Sequence, residues 1–204
     1  MTVRHHRGDL PGDFAGGAAV AVDTETLGLS PHRDRLCVVQ LSRGDGSADV
    51  VQIGRGLPPP DNLLRVLADP GCAKIFHFAR FDLAVLFLRL GVMPAPVYCT
   101  KIASKLARTY TDRHGLKDLA RELLGIDLSK AQQSSDWGAE TLSPAQLDYA
   151  ASDVLHLHAL RARLDEMLER EGRAAFAKAA FEFLPTRARL DLAGWEETDI
   201  FAHS

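Results

Sequence analysis

Two carboxylates one residue apart close an apolar run in Val20-Ala-Val-Asp-Thr-Glu-Thr-Leu-Gly-Leu29. A buried carboxylate is costly unless something positive sits against it. Either the strand emerges into water there, or the two acids are held for a cation. On an extended strand Asp23 and Glu25 project to the same side while Thr24 faces the other way. Two strand rises put their Cβ atoms roughly 6–7 Å apart. Carboxylates so spaced can grip a pair of divalent ions about 4 Å apart, the arrangement used for phosphodiester chemistry. Alone, Asp-x-Glu describes a solvated strand end equally well, so the weight falls on two further acids. Asp82 lies in His77-Phe-Ala-Arg-Phe-Asp82, one turn into a helix that directly follows a strand; its plainer role is to complement the helix dipole. Asp153 ends Leu147-Asp-Tyr-Ala-Ala-Ser-Asp153, near an apolar stripe where a lone acid is unwelcome. Tyr149, four residues earlier, shares its helix face, although an aromatic at that place also suits the edge of a core.

The elements that must position these groups are readable from periodicity. Residues 18–22 form a near-continuous apolar strand of the kind covered on both faces. Leu36-Cys-Val-Val-Gln-Leu41 is a second strand; Arg43-Gly-Asp-Gly46 is a hairpin turn leading to Ala48-Asp-Val-Val-Gln-Ile53. After Pro58-Pro-Pro60, Asp61 is placed to cap a helix that ends before Pro70-Gly71. Lys74-Ile-Phe-His77 reads as a short strand, residues 79–90 as a helix stopped by Gly91, and Val97-Tyr98 as another short strand. Helices follow near residues 100–108 and 116–124. Ser143-Pro-Ala-Gln146 is a capping box with proline at the first helical position. From there Leu147, Ala150, Val154, Leu157, Leu160, Leu164 and Met167 predict one amphipathic helix to about Gly172. Residues 183–204 read as an irregular tail. A strand meander followed by alternating strands and helices predicts an α/β fold, a mixed central sheet flanked by helices.

The chain has 204 residues, 46% hydrophobic, which suits one domain over residues 1–204 with its own core. The polar opening Met-Thr-Val-Arg-His-His-Arg has no apolar h-region of a signal peptide, and no apolar run is long enough to span a bilayer. Cys37, Cys72 and Cys99 form neither a CxxC pair nor an even set, so reduced thiols and a cytoplasmic location are the expectation. A formal net charge of −3 argues against a protein that coats long nucleic acid electrostatically. It leaves open one that handles short pieces, or one whose acids are masked by metal. A nicotinamide-binding domain would need G-x-G-x-x-G after its first strand, and Val22 is followed by Asp-Thr-Glu instead.

Taken together, Asp-Thr-Glu on a strand, His-x-x-x-Phe-Asp at a helix start and Tyr-x-x-x-Asp on a late helix resemble the three motifs of the DEDDy 3′–5′ exonucleases. Gly115-Leu-Lys-Asp-Leu-Ala120, Ser129-Lys-x-Gln-Gln-Ser-Ser-Asp-Trp-Gly138 and Leu147-Asp-Tyr-Ala-Ala-Ser-Asp-Val-Leu-x-Leu-His158 are similar to the ribonuclease D branch. The resemblance covers nearly the whole chain, without room for the extra helical domains of ribonuclease D itself. The compact length, Tyr110-Thr-Asp-Arg-His-Gly-Leu-Lys117 and the ending Gly194-Trp-Glu-Glu-Thr-Asp-Ile-Phe-Ala-His-Ser204 look most like the nanoRNase C family, bacterial exoribonucleases that clear dinucleotides. One departure from the wider superfamily is Cys99, where many relatives have aspartate; it lies outside the four-acid set.

The resemblance implies a ribonuclease H-like (DEDD exonuclease) fold and a catalytic set of Asp23, Glu25, Asp82, Tyr149 and Asp153. It implies that the four acids hold two divalent cations, Mg²⁺ or Mn²⁺, a match to hard oxygen donors. With four of the 27 acids neutralised by metal, 23 remain against 24 lysines and arginines, so an anionic substrate is acceptable. The implied substrate is short RNA, dinucleotides above all, released as 5′-mononucleotides. The implied assembly is a homo-oligomer, an octameric ring; Trp195 and Phe201 belong to a tail that packs on its own chain or a neighbour. For gripping substrate the candidates are Thr24 and Leu27 beside the acids, with Leu29 as a second wedge between bases. His77, Phe78 and Phe81 would form a stacking wall. Arg113, His114, Lys117, Gln133, Ser134 and Ser135, with Trp137 close by, are placed to cap a 5′ phosphate. Core packing for the aromatics and solvated loops for the others are the competing readings. The competing functions are a general 3′–5′ exonuclease that trims longer RNA or DNA, and a binding module without catalysis; the latter usually loses an acid, and here all four stand.

Overall fold

The computed structural model describes residues 2–129 and 131–203. Six strands form one sheet in the order β1-β4-β3-β2-β5-β6, with β1 Thr2–Arg7, β2 Ala19–Thr26, β3 Leu36–Ser42, β4 Ser47–Gln52, β5 Ala73–Phe76 and β6 Val97–Cys99. The pairs β2–β3 and β3–β4 are antiparallel; β1–β4, β2–β5 and β5–β6 are parallel. Strands β3 and β4 are buried along their whole length, which accounts for their unbroken apolar runs. In the tight turn between them Gly44 and Gly46 adopt φ of +78° and +79°, and Asp45 accepts hydrogen bonds from the Ser47 amide at 3.0 Å and hydroxyl at 2.6 Å.

Seven helices surround the sheet: α1 Asp61–Ala68, α2 Ala79–Leu90, α3 Thr100–Ala107, α4 Leu116–Leu119, α5 Pro144–Leu155, α6 Leu157–Arg170 and α7 Ala174–Leu190. The main core joins Val39, Leu41 and Val51 to apolar residues of α1, α2, α3, α6 and α7. The alternate residues Val38 and Val50 enter a smaller cluster with Trp137, Leu142 and Ala150 of α5. Cys37, Cys72 and Cys99 are buried, free thiols. No helix among the described residues is long and apolar enough to cross a membrane.

Several elements differ from the sequence expectation, each for a physical reason. Strand β1 has no apolar signature because polar pairs hold it: Arg4 grips Asp49 through Nε and Nη2, both at 2.8 Å, and His6 Nε2 lies 2.8 Å from the same carboxylate. Helix α1 is not capped by Asp61, which is its first residue. Asp9, far away in sequence, accepts from the Asn62 and Leu63 amides at 2.9 Å each. The capping box at Ser143 and Gln146 is present, but the helix it opens is two helices that meet at His156. The apolar repeat runs through that bend, so periodicity alone does not show it. Residues 183–195 are not an irregular tail. Helix α7 continues through Pro185 to Leu190, then a π-helical turn covers Asp191–Trp195. Burial of Phe181, Leu184 and Ala188 along one stripe outweighs the backbone bond that proline removes. Beyond this turn the chain folds back on α7: the Phe201 ring lies 5.8 Å from Phe183, and Arg187 donates to the Thr198 carbonyl at 3.0 Å.

Candidate active site

The pairing of β2 with β5 stops at Ala21, while its pairing with β3 continues through Asp23↔Gln40, Thr24↔Val39 and Glu25↔Val38. Past Ala21, β5 has given way to the start of α2, which leaves the end of β2 open on that side. Asp23 and Glu25 project from one face of that end, as the alternation of strand side chains requires, and α5 brings Asp153 to the same face. One carboxylate oxygen from each of Asp23, Glu25 and Asp153 lies within 4.8 Å of the others. Asp82 reaches the site from α2 and is not in that tight group of three; its Oδ1 accepts the hydroxyl of Thr24, the residue between the two strand acids, at 2.7 Å.

Burial raises the proton affinity of all four acids, and neighbouring acids raise that of Asp23 and Glu25 further. Burial lifts Asp23 well above the carboxylate range, with Asp82, Asp153 and Glu25 adding to it. Burial, then Asp153 and Asp82, push Glu25 up to about 9. Burial takes Asp82 and Asp153 each up to about 7, opposed by the Thr24 hydroxyl in one case and the Tyr149 phenol in the other. The Tyr149 phenol is itself pushed up, by burial first and then by Asp153, Glu25 and Asp23. Among the described residues no lysine or arginine ranks with the main influences on the four acids. Concentrated negative charge presented through carboxylate oxygens fits hard divalent cations.

Residues 11–169 match a family model described as 3′-5′ exonuclease. Ribonuclease D of Granulibacter bethesdensis is 38% identical over 183 residues, a match that covers 87% of this chain and 45% of that protein. This chain thus spans about half the length of the curated relatives it matches, or less. Brucella melitensis NrnC with bound Mg²⁺ is 63% identical with a TM-score of 0.95, over 100% of both chains. The same protein bound to pGG is 64% identical with a TM-score of 0.96, again over 100% of both chains. The chain belongs to the NrnC branch of the 3′–5′ exonuclease family.

In this exonuclease chain two cavities are lined by residues that flank the acids in sequence, Leu27 after Glu25 and Phe81 before Asp82, though by none of the four acids themselves. One, of about 520 Å³, is lined by Leu27, Trp137, Arg7, Arg35 and Arg55 among others. Trp137 is 2% exposed, its ring 5.9 Å from that of Tyr149, and its Nε1 has no hydrogen-bond partner among the described residues. The other, of about 310 Å³, is lined by Leu29, Phe78, Arg80 and Phe81. Leu29 is 85% exposed and Phe78 44%, while Phe81 packs partly on the core. Phe78 stands at φ +72°, a conformation rare for a residue with a side chain, with Lys101 Nζ 4.3 Å from its ring centre.

The other expected substrate contacts fall elsewhere. His77 turns inward, its Nδ1 2.9 Å from the Thr100 hydroxyl, and burial lowers its pKa to about 3. His114 Nδ1 lies 2.9 Å from Ser104 Oγ, and the Arg113 carbonyl accepts from the buried Arg108 at 2.7 Å. Arg113, His114 and Lys117 line neither of these cavities, and Gln133 and Ser134 are exposed on a loop outside both. Ser135 accepts from Gln146 Nε2 at 3.2 Å, tying that loop to the start of α5. The sequence assigns Arg55 and the other scattered arginines to the surface, whereas Arg7, Arg35 and Arg55 line the larger cavity, and Gln40 carries no signal of its own. Only the Asp23↔Gln40 register and the loop closure over Trp137 bring them to the site, and neither leaves a local motif.

Proposed function

We propose that this chain is a 3′–5′ exoribonuclease acting on short RNA, chiefly dinucleotides, and releasing 5′-mononucleotides. The observation that carries this reading is the group of three carboxylate oxygens within 4.8 Å, with Asp82 tied to Thr24, the residue between two of those acids. Asp23, Glu25, Asp82 and Asp153 are the residues that would hold two divalent ions, Mg²⁺ or Mn²⁺. When bound, such a pair supplies a water of lowered pKa and charge stabilisation for the departing 3′ oxygen.

The remaining work belongs to the chain. Tyr149, on the same face of α5 as Asp153, would orient the attacking water. Leu27 and Leu29, at the mouths of the two cavities, separate the two bases. Phe78 and Phe81 offer one base a stacking wall, an interaction of about 1–3 kcal/mol per base. Arg7, Arg35 and Arg55 give the larger cavity a positive rim for phosphate. The pGG ligand of the NrnC neighbour, two nucleotides long, supports a substrate that fills both cavities and ends there.

A second reading, trimming of longer RNA through the same site, is favoured by the identity to ribonuclease D. Hydrolysis of 5′-labelled RNAs from two to seven nucleotides separates the two. A steep loss of rate between two and three nucleotides is expected; equal rates along the series would establish the second reading.

A further inference from the structure

Gln40 is a fully buried polar residue, 0% exposed, between Val39 and Leu41 on β3. It is the cross-strand partner of Asp23, and its Nε2 donates to Asp23 Oδ2 at 2.6 Å. Its own Oε1 is buried with no hydrogen-bond partner among the described residues. A buried acceptor left unmade destabilises the folded chain. With Asp23 ionised, as a bound cation requires, rotating the amide would set two acceptors against each other, so the carboxylate dictates the orientation that leaves Oε1 alone.

We propose that Gln40 is a positioning residue for the cation site: its amide fixes one oxygen of Asp23 and leaves the other for a divalent ion. This inference rests on the reading of Asp23 as a metal ligand. The choice of side chain follows from charge. Lysine or arginine at position 40 would neutralise Asp23 and compete with the cation, and glutamate would add a fifth negative charge. An apolar residue would leave the carboxylate without an orienting bond. A neutral donor alone orients without changing the charge of the site. Hydrogen-bond partners of metal ligands typically account for about 10–100-fold in metal affinity.

The test is Mn²⁺ titration by calorimetry on the full chain without substrate, together with the melting temperature in EDTA. The proteins are the wild type, Gln40→Met, which keeps the length and shape, and Gln40→Leu in case the first fails to fold. The expected result is Mn²⁺ affinity about tenfold weaker, with a melting temperature in EDTA unchanged or higher, since the orphaned acceptor is gone. Wild-type Mn²⁺ affinity in either folded variant would overturn the role of Gln40, including the case where the melting temperature falls. Absence of Mn²⁺ binding by the wild type would instead overturn the metal reading on which the inference stands.

Discussion

Thr24 and Asp82 are joined across the open end of β2 by a 2.7 Å hydrogen bond, the threonine hydroxyl donating to a carboxylate from the next helix. Thr24 was expected to touch substrate; its hydroxyl is instead committed to an acid of the site. Replacing it by valine keeps the shape and removes the donor. Hydrolysis of pGG by Thr24→Val is expected to fall about tenfold, while Thr24→Ser stays near wild type. Steady-state rates for the two variants, with melting curves to show that both fold, check this.

Asp153 sits within reach of the Asp23 and Glu25 carboxylates and raises the proton affinity of both. Asp153→Asn is therefore expected to abolish hydrolysis and, in EDTA at pH 8, to melt higher than the wild type, because one source of repulsion is gone. Asp23→Asn is expected to lose hydrolysis in the same way. Activity assays paired with melting curves separate this outcome from simple misfolding, which would lower both.

Burial of the acids, reinforced at Asp23 and Glu25 by their neighbours, fixes a pH dependence. In the metal-free protein the acids of the site keep protons up to about 7 for Asp82 and Asp153 and about 9 for Glu25. The unfolded chain releases them near pH 4. Between those limits the folded state binds more protons, so stability falls as pH rises. Melting temperatures in EDTA from pH 5 to 9 are expected to decline, less steeply for Asp153→Asn than for the wild type.

Residues 191–204 carry Trp195, Ile200 and Phe201, all exposed, on a segment that α7 holds through Arg187 and Phe183. Exposed apolar groups on an anchored arm suit contact with a second copy. Deletion after Leu190 is expected to lower the assembly state, measured as mass in light scattering; an unchanged mass would count against that role.

How much of this was legible in the residues depends on whether the information is local. The strand ending in Asp23 and Glu25, the Gly44–Gly46 turn and the Ser143–Gln146 box all announce themselves within a few positions. Strand β1 did not, because Asp49 and Ser47 on another strand hold it. The cap of α1 did not, because Asp9 supplies it from 53 residues before the nearest amide. In the site, five chemical residues could be named from motifs, yet Thr24, Gln40 and the arginines of the larger cavity acquire roles only through register and loop closure. Pro185 is the reverse case: a strong local signal for a helix end that burial of Leu184 and Ala188 overrides.

The central claim is that acids from β2, α2 and α5 jointly hold divalent ions. Anomalous diffraction from crystals of the chain soaked in Mn²⁺ tests it most directly. Two peaks are expected, both in reach of Asp23, with Glu25, Asp82 and Asp153 completing the ligand set. Manganese absent from this cluster at saturating concentration, or bound only elsewhere on the surface, would contradict the account.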